Sequence, residues 1–375
     1  MKKLLIILCF TLCFSSFCRI SAAAAPDITV PSAILMDQAT GTVLYEQNAD
    51  EKRAPASVTK VMTMLLIEEA LESGKLRSDQ LIPVSAEAVK MGGSQVYLKE
   101  GEAMTADEML KCIAVASAND CCVAMAEAIA GSVSGFIDLM NARAAELEMD
   151  RTHFASCTGL DTEDHYTTAR DIARMSRALM EHPDIQKYTT IWMDSIRGGD
   201  FGLSNTNKLI RFYDGATGLK TGYTSQAGYC LSATAERDGL ALIAVVLGGA
   251  TSDERFSDAK ALLNYGFSQY AVYREDPALP APVTVIKGEA PSVQPLPATP
   301  PVFLTPKGSE ENISYTVELP ADVYAPVEAG QKLGVLRYSL KENEIGIIDL
   351  IAAEAVPRIS FGTLLLKTLK IFFTV

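Results

Sequence analysis

A short apolar run, Ala33–Met36, is followed by a turn at Ala39-Thr40-Gly41 and by Thr42–Tyr45, which predicts strand, turn and strand. From Ser57 to Ser73 the apolar residues Val58, Val61, Met62, Leu65 and Leu66 recur at helical spacing. Further helices are predicted over Ala106–Ala116, Asp120–Ala130, Ser134–Leu147 and Ala169–Glu181. Strand patterns return at Tyr229–Ala235 and Leu240–Leu247, joined by a turn holding Asp238-Gly239, a strong hairpin signal. A helix around Ser257–Tyr265 follows. Strands at both ends with helices between them predict an α/β (α+β) fold, an antiparallel sheet flanked by helices.

Beyond this unit the pattern changes. From about Glu275 to Pro306 the chain is rich in proline, and short alternating runs follow at Ile313–Val317 and Lys332–Tyr338 between Gly and Pro turns. A small β-domain over 274–356 is the expectation, after a larger unit over 25–273. In the tail, 357–375, a helix would put Ser360, Thr363, Lys367, Lys370 and Thr374 on one face and cover the rest with apolar residues. No acid follows Glu354, so this reads as an amphipathic, membrane-anchoring helix, too short and too charged to span. At the other end, Lys2 and Lys3, the apolar run Leu4–Phe14 and the small residues Ser21–Ala25 have the layout of a secretory signal peptide over 1–24.

Charge and cysteine content narrow the classes. The 375 residues carry 33 basic and 46 acidic side chains, net −13. Loss of 1–24 removes three basic residues and no acid, which brings the charge to −16. Such a surface gives no nucleic-acid footprint. Five cysteines remain after 1–24, Cys112, Cys121, Cys122, Cys157 and Cys230, an odd and irregular set that makes no disulfide framework and reads as small core residues. No spacing suits zinc, and no cofactor is expected.

Three short motifs carry the chemistry. Ser57-Val58-Thr59-Lys60 puts a hydroxyl and an amine about one helical turn apart. A serine is a weak nucleophile until a base lies within hydrogen-bond reach, and a lysine can be that base once its pKa is lowered. Ser117-Ala118-Asn119 follows an apolar run, and Lys220-Thr221-Gly222 precedes the Tyr229–Ala235 strand, offering donors for an anion and a glycine for close backbone approach. Each motif alone reads as no more than a helix cap, a turn or a surface lysine. In this order, in a chain with a signal peptide, they read as one site.

These motifs, together with Ala33–Asp50 leading into Pro55–Thr63, Asn205–Leu209, Gly218–Cys230 and Leu242–Gly249 leading to Arg255, resemble the low-molecular-weight penicillin-binding proteins of peptidase family S11. Those are serine-type D-alanyl-D-alanine carboxypeptidases with a β-lactamase-like transpeptidase fold. The resemblance implies Ser57 as acylated nucleophile, Lys60 as its base, and Ser117 and Asn119 as a pair that relays protons and holds the substrate amide. It implies Lys220 beside Ser117 and Lys60, lowering the pKa of Lys60. Thr221 and Arg255 would anchor the terminal carboxylate, with Gly222 lining the site and the Ser57 and Tyr223 N–H groups as oxyanion hole. The implied substrate is the peptidoglycan stem pentapeptide, the implied inhibitors are β-lactams, and the implied location is the outer face of the cytoplasmic membrane or the cell wall. Ser156-Cys157 stands where the family usually has Asn-Pro, which leaves the stiffness of that loop open, and Tyr223 lies where relatives vary. His165 reads as structural. A serine β-lactamase lacks support because no E-x-x-L-N motif is present. A non-catalytic wall-binding or scaffold protein fits poorly with intact Ser57, Lys60, Ser117, Asn119 and Lys220.

Overall fold

The alternation along Leu240–Gly249 organises the larger unit. Ile243, Val245 and Leu247 point to one apolar core, while Leu242, Ala244 and Val246 point to another. A strand buried on both faces belongs in the middle of a sheet. The computed structural model of the protein describes residues 25–366, so the signal-peptide expectation over 1–24 and the part of the tail beyond 366 lie outside the described residues. In it, β1 (Ser32–Asp37), β2 (Val43–Gln47), β3 (Ala216–Thr224), β4 (Gly228–Arg237) and β5 (Leu240–Gly249) form an antiparallel sheet of order β2-β1-β5-β4-β3.

One face of this sheet carries α1 (Lys60–Glu72), α2 (Ala106–Ala116), α3 (Asn119–Ala130), α4 (Val133–Glu146) and α5 (Ala169–Met180). The other face carries α6 (Ser252–Gln269) through Phe256, Ala259, Leu262 and Leu263. Helix α1 is buried from Lys60 through Glu68, as expected for a helix enclosed by others. Polar residues fix the helix starts: Thr105, Ser132 and Thr168 accept the N–H of Glu108, Gly135 and Asp171.

Three local expectations are corrected. The predicted helix from Ser57 begins as a 3₁₀ turn, Ala56–Thr59, and becomes α-helical at Lys60. Helix α6 starts five residues earlier than its periodicity predicts, because Thr251 and Glu254 form a capping box. Lys220-Thr221-Gly222 lies inside a strand, β3, whose glycines and polar residues hide any apolar alternation.

After α6, β6 (Tyr270–Arg274) pairs with β7 (Val302–Pro306). A meander of β8 (Ile313–Glu318), β9 (Lys332–Leu340) and β10 (Asn343–Ala352) follows, with cores of its own around Leu336, Tyr338 and Leu350 and around Val283, Val285 and Val356. The tail does not begin as a helix at 357. The Pro357 carbonyl accepts from Glu289 N–H, and Ile359 N–H donates to the Lys287 carbonyl, so these residues belong to the β-rich part. A helical segment over 361–366 starts after Ser360, whose hydroxyl accepts the Thr363 N–H, and it leaves Phe361 and Leu366 81% and 63% exposed.

Candidate active site

The Ser57 turn is backbone geometry first. Ala56, immediately before it, has φ +48°, a left-handed conformation that costs a residue with a Cβ on the order of 1–3 kcal/mol. In the 3₁₀ turn that follows, side chains three apart eclipse one another, which brings the first residue of α1 over Ser57. Lys60 Nζ donates to Ser57 Oγ at 2.9 Å and to the Thr158 carbonyl at 2.6 Å. Lys60 is wholly buried, whereas Ser57 is half-buried at the rim.

Strand β3 closes against this turn. A Cβ on Gly222 would lie 2.9 Å from the Pro55 carbonyl oxygen and 3.0 Å from Ser57 N, so only glycine fits without displacing the strand. Thr221 Oγ1 donates to Thr206 Oγ1 at 2.7 Å, and Thr206 N–H donates to the Val115 carbonyl, which ties β3 to the end of α2. There Ser117 terminates α2 in the left-handed region at φ +63°. Asn119 opens α3, donating from Nδ2 to the Gly92 carbonyl at 2.7 Å, while its buried Oδ1 has no partner. Asp120 accepts the N–H groups of Val96 and Leu98 and so holds the 92–98 loop over the same corner. Arg255, in the first turn of α6, donates from Nη1 to the Gly222 and Cys230 carbonyls at 2.9 and 3.3 Å, and its buried Nε has no partner. Tyr223 is exposed and stacks on Tyr229, ring centroids 4.3 Å apart.

The site residues expected from the sequence thus gather at one end of the sheet, with one qualification. No hydrogen bond joins Ser117 to Ser57, Lys60 or Lys220 among the described residues; Lys220 Nζ donates instead to the Thr221 carbonyl at 3.0 Å. Sequence reasoning missed Thr158, whose carbonyl holds Lys60, and Thr59 and Asp120, none of which has a motif of its own. Also among the described residues, no group of three or more His, Cys, Asp or Glu side chains converges to ligate a metal.

Both lysines lie below the usual ammonium range, and burial is the main cause for each. Lys220 lies well below it, with the charge of Lys60 as its second cause. The repulsion between the two amines is reciprocal, so each makes the other easier to deprotonate. Of two coupled cations, the one that loses its proton first does so against the charge of the other; the second then titrates beside a neutral amine. The surrounding thiols, Cys122 and Cys157, are pushed up by burial to about 11 and about 12. All five described cysteines are buried and free.

The 154–167 loop braces the turn from below. Gly159, at φ +83°, comes so near that a Cβ would sit 1.9 Å from the Ala56 carbonyl oxygen. Ser156 Oγ accepts the N–H groups of both Thr158 and Gly159 at 3.1 Å, an ST-type turn that orders the loop where the family usually has Asn-Pro. His165 is buried, and its pKa is lowered to about 4 by that burial, with His153 adding to the shift. It bonds to Thr59 and not to Ser57.

Residues 19–251 match the family model described as D-alanyl-D-alanine carboxypeptidase, and residues 267–358 match the penicillin-binding protein 5 C-terminal domain. The D-alanyl-D-alanine carboxypeptidase DacF of Bacillus subtilis is 41% identical over 345 residues, covering 90% of this chain and 88% of that protein. The crystal structure of penicillin-binding protein 5 from Haemophilus influenzae superposes with a TM-score of 0.76 at 29% identity, covering 89% of this chain and 99% of that one. Penicillin-binding protein D2 of Listeria monocytogenes in its ampicillin-bound form gives 0.59 at 31% identity over 64% of this chain and 98% of its own. The family model over most of the enzyme unit and the Bacillus relative over nine-tenths of the chain agree with the site described above, and the chain belongs to the D-alanyl-D-alanine carboxypeptidase family of penicillin-binding proteins.

Proposed function

We propose that Ser57 carries the acyl group in removal of the terminal D-alanine from peptidoglycan stem pentapeptides. The observation that carries this reading is the 2.9 Å contact between Ser57 Oγ and the wholly buried Lys60 Nζ. As a neutral amine, Lys60 takes the Ser57 proton while Oγ attacks the carbonyl carbon of the penultimate D-alanine. The N–H groups of Ser57 and Tyr223 would face the resulting oxyanion, each such donor being worth about 3 kcal/mol. The proton then passes, by way of Lys60 and Ser117, to the departing amine of D-alanine. Water hydrolyses the acyl-enzyme and restores Ser57.

Substrate roles follow the same logic. The unpartnered Oδ1 of Asn119 suits an amide N–H of the substrate. Thr221 and Arg255 suit the free carboxylate, and the unpartnered Nε–H of Arg255 supports that role. A β-lactam would acylate Ser57 by the same attack, and the ampicillin-bound Listeria relative supports this. We also propose export through a signal peptide over 1–24 and attachment to the outer face of the cytoplasmic membrane through the C-terminal helix, on the strength of the sequence pattern and the exposed Phe361 and Leu366.

The test is covalent labelling by a fluorescent penicillin with D-alanine release measured alongside. Ser57→Ala should abolish both and leave the fold intact. Labelling of that variant at the normal rate would sink the assignment.

A further inference from the structure

The chain of hydrogen bonds beneath the nucleophile turn begins outside every motif. Ala155 N–H donates to His165 Nδ1 at 3.0 Å, so the ring proton sits on Nε2. Nε2 lies 2.8 Å from Thr59 Oγ1 and donates to it. Thr59 Oγ1 accepts there and has one proton to place, which it donates to the Ala56 carbonyl at 2.8 Å. That carbonyl belongs to the left-handed residue immediately before Ser57. Gly159 lies so near the same carbonyl and Thr59 Oγ1 that a Cβ there would clash with both. Every bond in the chain is buried or nearly so, and each has a single direction.

We propose that His165 and Thr59 are positioning residues for acylation: through the Ala56 carbonyl they lock the left-handed peptide that aims Ser57 Oγ at Lys60. Neither touches substrate. The inference rests on Ser57 being the nucleophile. A left-handed alanine is a conformation the chain would leave if released. Rotation of its peptide moves Ser57 relative to Lys60, and a misplacement on the order of 1 Å lowers a rate about 100-fold.

The experiment measures the penicillin acylation rate, kcat and KM for D-alanine release, and thermal stability, on the full chain. Thr59→Val and His165→Phe should each lower acylation and kcat about 10- to 100-fold with KM nearly unchanged. Thr59→Ser, which keeps the hydroxyl, should recover most of the loss. The double variant should be no slower than the slower single variant, because each breaks the same chain. Additive losses, a Thr59→Ser variant as slow as Thr59→Val, or normal acylation in both single variants would overturn the proposal. If His165→Phe does not fold, the Val and Ser variants at Thr59 decide it alone. A Ser57→Ala control that still labels would defeat the nucleophile assignment instead, so the two failures are distinguishable.

Discussion

Two buried side chains pull the pH dependence of stability in opposite directions. Glu68, on α1 with Oε1 unpartnered, has its pKa raised by burial to about 7 from an ordinary 4.5. The folded state favours its neutral form, so its contribution is fully present below about pH 4.5 and is lost as the pH rises through about 7. His165 does the reverse. With its pKa near 4 in place of 6.5, its contribution is present above about pH 6.5 and is lost as the pH falls through about 4, because a second ring proton would face the Ala155 N–H. Each amounts to about 3 kcal/mol at most. Glu68→Met should therefore raise the denaturation midpoint at pH 8 and change it little at pH 4.5, as denaturant titrations at the two values would show. A variant no more stable than the parent at pH 8 would mean that the carboxylate finds a partner when ionised.

At the scale of elements, what the sequence discloses depends on how an element is held. Helix Ala106–Ala116 is predicted with its observed ends, since its apolar spacing and its cap agree. Strand β5 shows itself through a run apolar enough for two cores. Strand β3 does not, because its residues are chosen by the site: Gly218 and Gly222 by close approach, Lys220 and Thr221 by chemistry. The motif residues are legible as a set because they recur in order. The groups that brace them are not, since the Thr158 carbonyl is backbone that any sequence could supply and the Ser156 hydroxyl makes a turn that no motif marks. Gly222→Ala tests the strand's contribution. Its methyl would press on Pro55 O and Ser57 N, so acylation should fall about 10-fold or more while the melting temperature shifts by only a few degrees. A rate equal to that of the parent would mean that the strand can retreat freely.

The whole molecule joins an enzyme unit to a β-rich unit through β6, which pairs with β7. The separation of roles expected from the sequence needs one adjustment. Deletion from Pro357 would strip partners from Lys287 and Glu289, so the cut belongs after Ser360. A protein ending there should leave the membrane fraction and still release D-alanine from a soluble peptide. The deleted apolar side chains would otherwise gain on the order of 25 cal/mol per Å² at the lipid interface, and each lysine about 1 kcal/mol on an anionic surface. Continued sedimentation with membranes would point to a retained N-terminal segment as the anchor, and loss of turnover would place the helix against the enzyme unit.

The five free thiols of the described chain have a consequence for how the protein is made and followed. Among the described residues none of them forms a disulfide, so the described fold is held by packing and hydrogen bonds without a covalent cross-link. Because each thiol is enclosed, modification has to wait for the chain to open. The cysteines thus act as a built-in clock: the pace at which a thiol reagent consumes them reads out how often the core around the lysines and α3 breathes.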